Sequence, residues 1–202
     1  PISPLKNVAV PFSHSVRKIE LPQIWTPDPL HALGKHVAAM CDEEQCQEFV
    51  RSLGGSSKIK ALLEGIKGKA PVIGCRPCAQ TGPEGNARAA LFDSDPLEIV
   101  LCTNRLQERD LEEALTHELV HAYDYSNKRC DFGGCEGLAY TEIRAARYSE
   151  CKGPFLFDWM RQKCIKDHAV SSTKNFFADA QKCVDKVYPK AMQDESPMEQ
   201  KV

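Results

Sequence analysis

His117-Glu118-Leu119-Val120-His121 constrains this chain more than any other stretch of it. A helix turns about 100° per residue, so residues i and i+4 stand one above the other on a single face. Two imidazoles at that spacing converge on one point, the arrangement a metal ion requires. Glu118 falls beside such an ion rather than on it, where a general base takes a proton from a water that the metal polarises. The surrounding pattern supports a helix. Leu111, Leu115, Leu119 and Ala122 share one side of it, and His117, His121 and Asp124 share another. Only six histidines occur in the chain, so a chance pair of surface histidines at this spacing is the weaker reading.

A catalytic zinc site takes three protein ligands and leaves a fourth position for water. The third donor is sought on the next helical stretch, 136–151, where Glu142 shares its face with Leu138, Ala139, Ala145, Ala146 and Ser149. A lone carboxylate on a small, apolar face is costly to bury unless a cation relieves it. Arg144, Arg147 and Tyr140 are placed on the far side of that helix. This layout resembles the gluzincin plan, in which a glutamate from a second helix completes the site. Asp124, one turn beyond His121, is the rival ligand, and its blander role is an acceptor that fixes a histidine ring. Asp131 is a weaker candidate. Tyr123, Tyr125, Tyr140, Tyr148 and His168 are of the right type to stabilise an oxyanion, and spacing does not choose among them.

The rest of the chain is read around that motif. Residues 1–55 form a Pro-rich arm and linker, with a short helix over 30–53 and a break at Gly54-Gly55. Residues 56–188 form the folded domain, and 189–202 are a polar tail expected to be disordered. Within the domain, 58–67 has helical spacing, and 87–92 and 97–102 flank Asp93-Ser94-Asp95-Pro96 as a hairpin. Helices are expected at 108–126, 136–151, 155–169 and 171–187. The fold class is α/β (α+β): a short sheet beside the motif helix, then a helical C-terminal half. No apolar run is long enough for a spanning helix. The 26 basic and 28 acidic residues leave no excess for nucleic acid. The ten cysteines point to an oxidising compartment and a stapled fold, with Cys75-x-x-Cys78 as half of a zinc ribbon that nothing completes.

Leu115-Thr116-His117-Glu118-Leu119-Val120-His121-Ala122-Tyr123-Asp124 resembles the signature of a mitochondrial metallopeptidase family that processes the precursor of ATP synthase subunit a and aids assembly of the rotor sector. Glu98 to Asn104 resembles the strand before the active helix in that family. Cys75-x-x-Cys78, Thr141-Glu142-Ile143-Arg144-Ala145-Ala146 and Cys164-Ile165-Lys166-Asp167 resemble further parts of it, over about residues 58–188. The resemblance implies a zincin-like domain with Zn2+ on His117 and His121, Glu118 as acid/base and Glu142 as third ligand. It also implies a disulfide-bonded protein of the intermembrane space, peripheral on the inner membrane, acting on a protein substrate. Two other readings stand beside it: an assembly chaperone with mainly structural zinc, and a nuclear DNA-associated metalloprotease, which the charge balance and cysteine count disfavour.

Overall fold

The computed structural model describes residues 41–52, 56–80 and 89–198. The Pro-rich stretch, the linker glycines Gly54 and Gly55, and His14, His31 and His36 lie outside them.

Six helices and three strands follow in the order α1 (Glu43–Ser52), α2 (Ser57–Gly65), β1 (Val72–Arg76), β2 (Ala90–Ser94), β3 (Leu97–Cys102), α3 (Leu111–Ser126), α4 (Cys135–Tyr148), α5 (Asp158–Lys174) and α6 (Ala180–Gln193). The expected mixed chain with a small sheet and a helical C-terminal half is what is found. The sheet runs β1-β3-β2, with β2 antiparallel to β3 across the expected hairpin and β1 parallel to β3. β1 did not stand out as a strand: it is five residues long, contains Gly74, and no residue in it is fully buried. Its pairing with β3 comes from the chain's return through β2 rather than from any alternation of its own.

Two apolar clusters build the body. One joins α1, α2, the sheet and α3 through Ile59, Leu62, Ile99, Leu101, Leu111, Leu115 and Leu119. The other joins α4, α5 and α6 through Tyr140, Ile143, Ile165, Ala169 and Val184. The motif helix α3 lies between them, packed on the sheet by one face and on α4 by the other.

The folded part reaches further at both ends than the boundaries drawn at residues 56 and 188. Cys46 of α1 is buried and bonded to Cys75 of β1. At the other end, α6 continues through Pro189 to Gln193, and Asp194 to Ser196 turn back onto α4. Composition marked that tail as polar, but its polar groups are spent on buried partners. Proline lacks a backbone donor, and here the packing of α6 on α4 and α5 outweighs that local loss.

Eight of the cysteines are bonded: Cys46–Cys75, Cys78–Cys102, Cys135–Cys183 and Cys151–Cys164. The two members of Cys75-x-x-Cys78 therefore belong to separate disulfides. Cys41 and Cys130 are free thiols, and burial pushes Cys130 up to about 12, so it is held as an inert thiol. Among the described residues no helix is long and apolar enough to cross a membrane.

Candidate metal centre

The helical spacing on α3 delivers what it predicts locally. The His117 and His121 rings lie with centroids 4.8 Å apart on the side of α3 that meets α4. From α4, Glu142 enters between them: Oε2 is 3.6 Å from His117 Nε2, and Oε1 is 3.8 Å from His121 Nε2. Glu142 and His121 are fully buried, and the His117 side chain keeps 14% of its surface exposed, which leaves the site a way to solvent.

The donor set fits a small divalent cation. Ligands bonded at about 2.0 Å in a tetrahedron stand about 3.3 Å from one another, close to the separations here before an ion draws them in. All three donor atoms lie within 4.8 Å of one another. Glu142 Oε1, buried and facing His121, accepts no hydrogen bond among the described residues. A buried acceptor in that state carries its full desolvation cost unless a cation meets it.

The charges around the site agree. Burial pushes the Glu142 carboxyl up to about 7, partly opposed by His117 and reinforced by Glu118 and Glu150. Burial would push the His117 imidazolium down, but Glu150 in direct contact, with Glu118 and Glu142 behind it, outweighs burial and raises its pKa to about 10. Two protons thus stand where one cation would. Glu118 is nearly buried and close enough to influence both His117 and Glu142. Adjacent to the three convergent donors but not among them, it stands where the helical wheel would put a general base.

Each histidine is held from behind. His117 Nδ1 lies 2.8 Å from Glu150 Oε1, and the imidazolium keeps that carboxyl well below the usual carboxylate range despite burial. His121 Nδ1 lies 2.9 Å from Thr141 Oγ1. In both, the ring nitrogen away from the centre is engaged and Nε2 is left to face Glu142, the arrangement that fixes a ligating imidazole. Asp124, the alternative ligand, is placed elsewhere. It is fully buried against Arg144, whose Nε reaches both its oxygens at 3.1 Å. Arg144, placed by the sequence on the far side of α4 from Glu142, has no exposed surface at all. α4 is buried from Leu138 to Ala146, so its far side is a second interface.

Asp131 caps its own loop, accepting from the Gly133 amide at 2.9 Å. Three of the tyrosines considered for an oxyanion surround Arg144: Tyr123, Tyr140 and Tyr148 lie within 6.0 Å of its guanidinium. Tyr125 instead stacks edge-on with Phe132, which packs against the His121 ring. His168 lies near Glu150 and the Cys151–Cys164 disulfide. Glu150, Thr141 and Arg144 were not singled out by pattern. The one available signal was a lone arginine inside the small, apolar run Ile143 to Ala146.

Residues 42–199 match the Peptidase M76 family. The chain belongs to the Peptidase M76 family. It is a metallopeptidase, the family implies a metal, and His117, His121 and Glu142 are a candidate group to hold one. Among its curated relatives, the "Mitochondrial inner membrane protease ATP23 homolog" of Xenopus laevis is 30% identical over 174 residues, covering 76% of this chain and 72% of the relative. The protein of that name from Homo sapiens is 28% identical over 175 residues, covering 76% and 69%. "Mitochondrial inner membrane protease atp23" of Aspergillus niger is 31% identical over 144 residues, covering 63% and 58%. No solved structure matches the chain.

Proposed function

We propose that this M76 peptidase is a zinc-dependent endopeptidase of zincin type, with His117, His121 and Glu142 as the protein ligands and Glu118 as the acid/base. The observation that carries the reading is the convergence of two imidazole nitrogens and one buried carboxylate oxygen within 4.8 Å, on two packed helices. When bound, zinc supplies Lewis acidity that brings the pKa of a water to about 7. The chain's own residues do the rest. Glu118 accepts the proton of the attacking water and returns it to the leaving amine. Glu150 and Thr141 hold the two imidazoles in register. The substrate backbone adds to the outer strand β2, which packs beside α3.

The names of the relatives support a place at the mitochondrial inner membrane. Four disulfides suit an oxidising compartment, so the site of action is the intermembrane space, with peripheral attachment to the inner membrane. The substrate is the precursor of ATP synthase subunit a, in keeping with the resemblance of the motif and its flanks.

The test is zinc content and precursor cleavage in the wild type, Glu142→Ala and Glu118→Gln, with disulfides kept intact. About one zinc per chain is expected in the wild type, most of it lost in Glu142→Ala. Glu118→Gln should retain zinc and lose cleavage by about 10²–10⁴-fold. Unchanged zinc in Glu142→Ala would remove that residue from the ligand set. A Glu118→Gln protein that still supports ATP synthase assembly without processing would separate an assembly role from the peptidase one.

A further inference from the structure

The three most exposed large apolar side chains among the described residues fall within four consecutive positions: Leu156 at 85%, Phe157 at 59% and Trp159 at 62%. They lie on the stretch that leads into α5 and on its first turn. A soluble surface scatters such residues singly, and a contiguous group of them marks a contact. The group is held outward by its surroundings. Phe155, just before it, packs inward on the cluster that joins α4, α5 and α6. The Cys151–Cys164 disulfide closes the loop across 13 residues, and α5 turns Ile165 and Ala169 into the same core. With the inward positions fixed, Leu156, Phe157 and Trp159 have only solvent or a partner to face.

The charge around this group is opposite to that of the chain. Residues 152–167 carry Lys152, Arg161, Lys163 and Lys166 against Asp158 and Asp167, a net of +2, while the whole chain stands at -2. Lys163 pairs with Asp167 at 2.6 Å and Lys166 with Asp185 at 2.8 Å. Both pairs are exposed, so an anionic group in solution competes with them. This combination suits a bilayer surface better than a protein. Lysine is depleted at the centre of protein interfaces. At a bilayer, tryptophan settles at the level of the headgroups, and lysine stems run past apolar groups to the phosphates.

We propose that the loop closed by Cys151–Cys164 is the membrane-contact surface of this chain, with Leu156, Phe157 and Trp159 entering the interface of an anionic phospholipid bilayer and Lys152 and Lys163 meeting its headgroups. The inference rests on the reading of peripheral attachment and names the surface that makes it; it does not depend on the metal ligands. A contact of three apolar side chains and a few charges is reversible and weakens as salt rises.

The experiment is flotation of the full chain, disulfides intact, with phosphatidylcholine vesicles made with and without phosphatidylglycerol. The wild type should float with the anionic vesicles and be released by added salt. The triple variant Leu156→Ser, Phe157→Ser, Trp159→Ser should lose about tenfold or more in partition, with the melting temperature of the wild type. Should the triple fail to fold, Leu156→Glu alone must weaken binding in the same direction. Lys163→Ala should weaken binding to the anionic vesicles about fivefold. In a Trp25→Phe protein Trp159 is the only tryptophan, and its emission should shift to the blue on binding and be quenched by spin-labelled lipid. A wild type that never floats overturns the proposal and the reading of peripheral attachment with it. Equal flotation of wild type and triple, or a Trp159 emission that vesicles leave unchanged, overturns the surface alone and leaves attachment to another part of the chain. A dimer in solution that the triple dissolves, without flotation of the wild type, gives the face to a second copy and overturns the proposal as well.

Discussion

His117 and Glu142 each hold a proton more firmly than their kinds usually do, for different reasons. The imidazolium is stabilised by Glu150, with a pKa raised from 6.5 to about 10, and the carboxyl is neutralised by burial, raised from 4.5 to about 7. Both folded-state values lie above the ordinary ones, so in the metal-free protein each group favours the fold most when protonated. That contribution fades as pH rises, first through Glu142 between about 4.5 and 7, then through His117 towards 10. With the proposed ligand set, zinc binding displaces both protons. Calorimetry in buffers of different ionisation enthalpy should find about two protons released per zinc at pH 6, where a zinc-bound water still keeps its own. Release of one proton or fewer at pH 6 would mean that Glu142 is not the group that zinc displaces. The melting-temperature increment from saturating zinc should also grow from pH 5 to pH 8. Glu150→Gln weakens the hold on the His117 ring, and zinc affinity should fall about 10–100-fold while Glu118 keeps its role.

α3 and α4 carry the candidate site because they pack together with most of their facing residues buried. The α3 side of that arrangement depends on Leu115 and Leu119, both fully buried against the sheet. Leu119→Ala should cost about 2–5 kcal/mol in chemical denaturation, and the loss should be similar with and without zinc, since the residue faces away from the metal. The entry to α4 is fixed by the loop before it. A Cβ on Gly137 would lie 1.9 Å from the Asp131 carbonyl oxygen, so backbone must move before any side chain fits. Gly137→Ala should therefore destabilise the fold by at least about 2 kcal/mol and displace α4, lowering zinc affinity as well. Equal stability of Gly137→Ala and wild type in urea would contradict that close approach.

Disulfides join elements that the apolar clusters join only in part. Cys135–Cys183 ties the start of α4 to α6 across 48 residues, and Cys46–Cys75 ties α1 to β1 across 29. Loop-closure entropy makes the first worth about 4 kcal/mol. Replacing Cys135 and Cys183 by alanine should lower denaturation stability by about 2–5 kcal/mol, and should loosen α6 and, with it, the segment that reaches Arg144. A double-alanine protein as stable as wild type would show that packing of α4, α5 and α6 suffices.

What was legible in the sequence was whatever depends on neighbours one turn away. His117, Glu118 and His121 stand out as candidates because helical period alone puts them together, and Glu142 because a carboxylate shares its helix face with Ala145, Ala146 and Leu138. The β2–β3 hairpin and the run of C-terminal helices follow from similar local periods. Partners far apart along the chain were not legible. Arg144 was placed on the far side of its helix from Glu142, but period could not say what covers that side, where Asp124, Asp194 and Ser196 satisfy it in the interior. The tail beyond residue 188 was read as disordered because polar composition offers no core, yet its oxygens are what the buried guanidinium requires. Which cysteines pair, that β1 lies parallel to β3, and that Glu150 backs His117 were set in the same way. Local period fixes which side chains share a face, whereas burial energies are balanced by contacts that exist only once distant segments have come together.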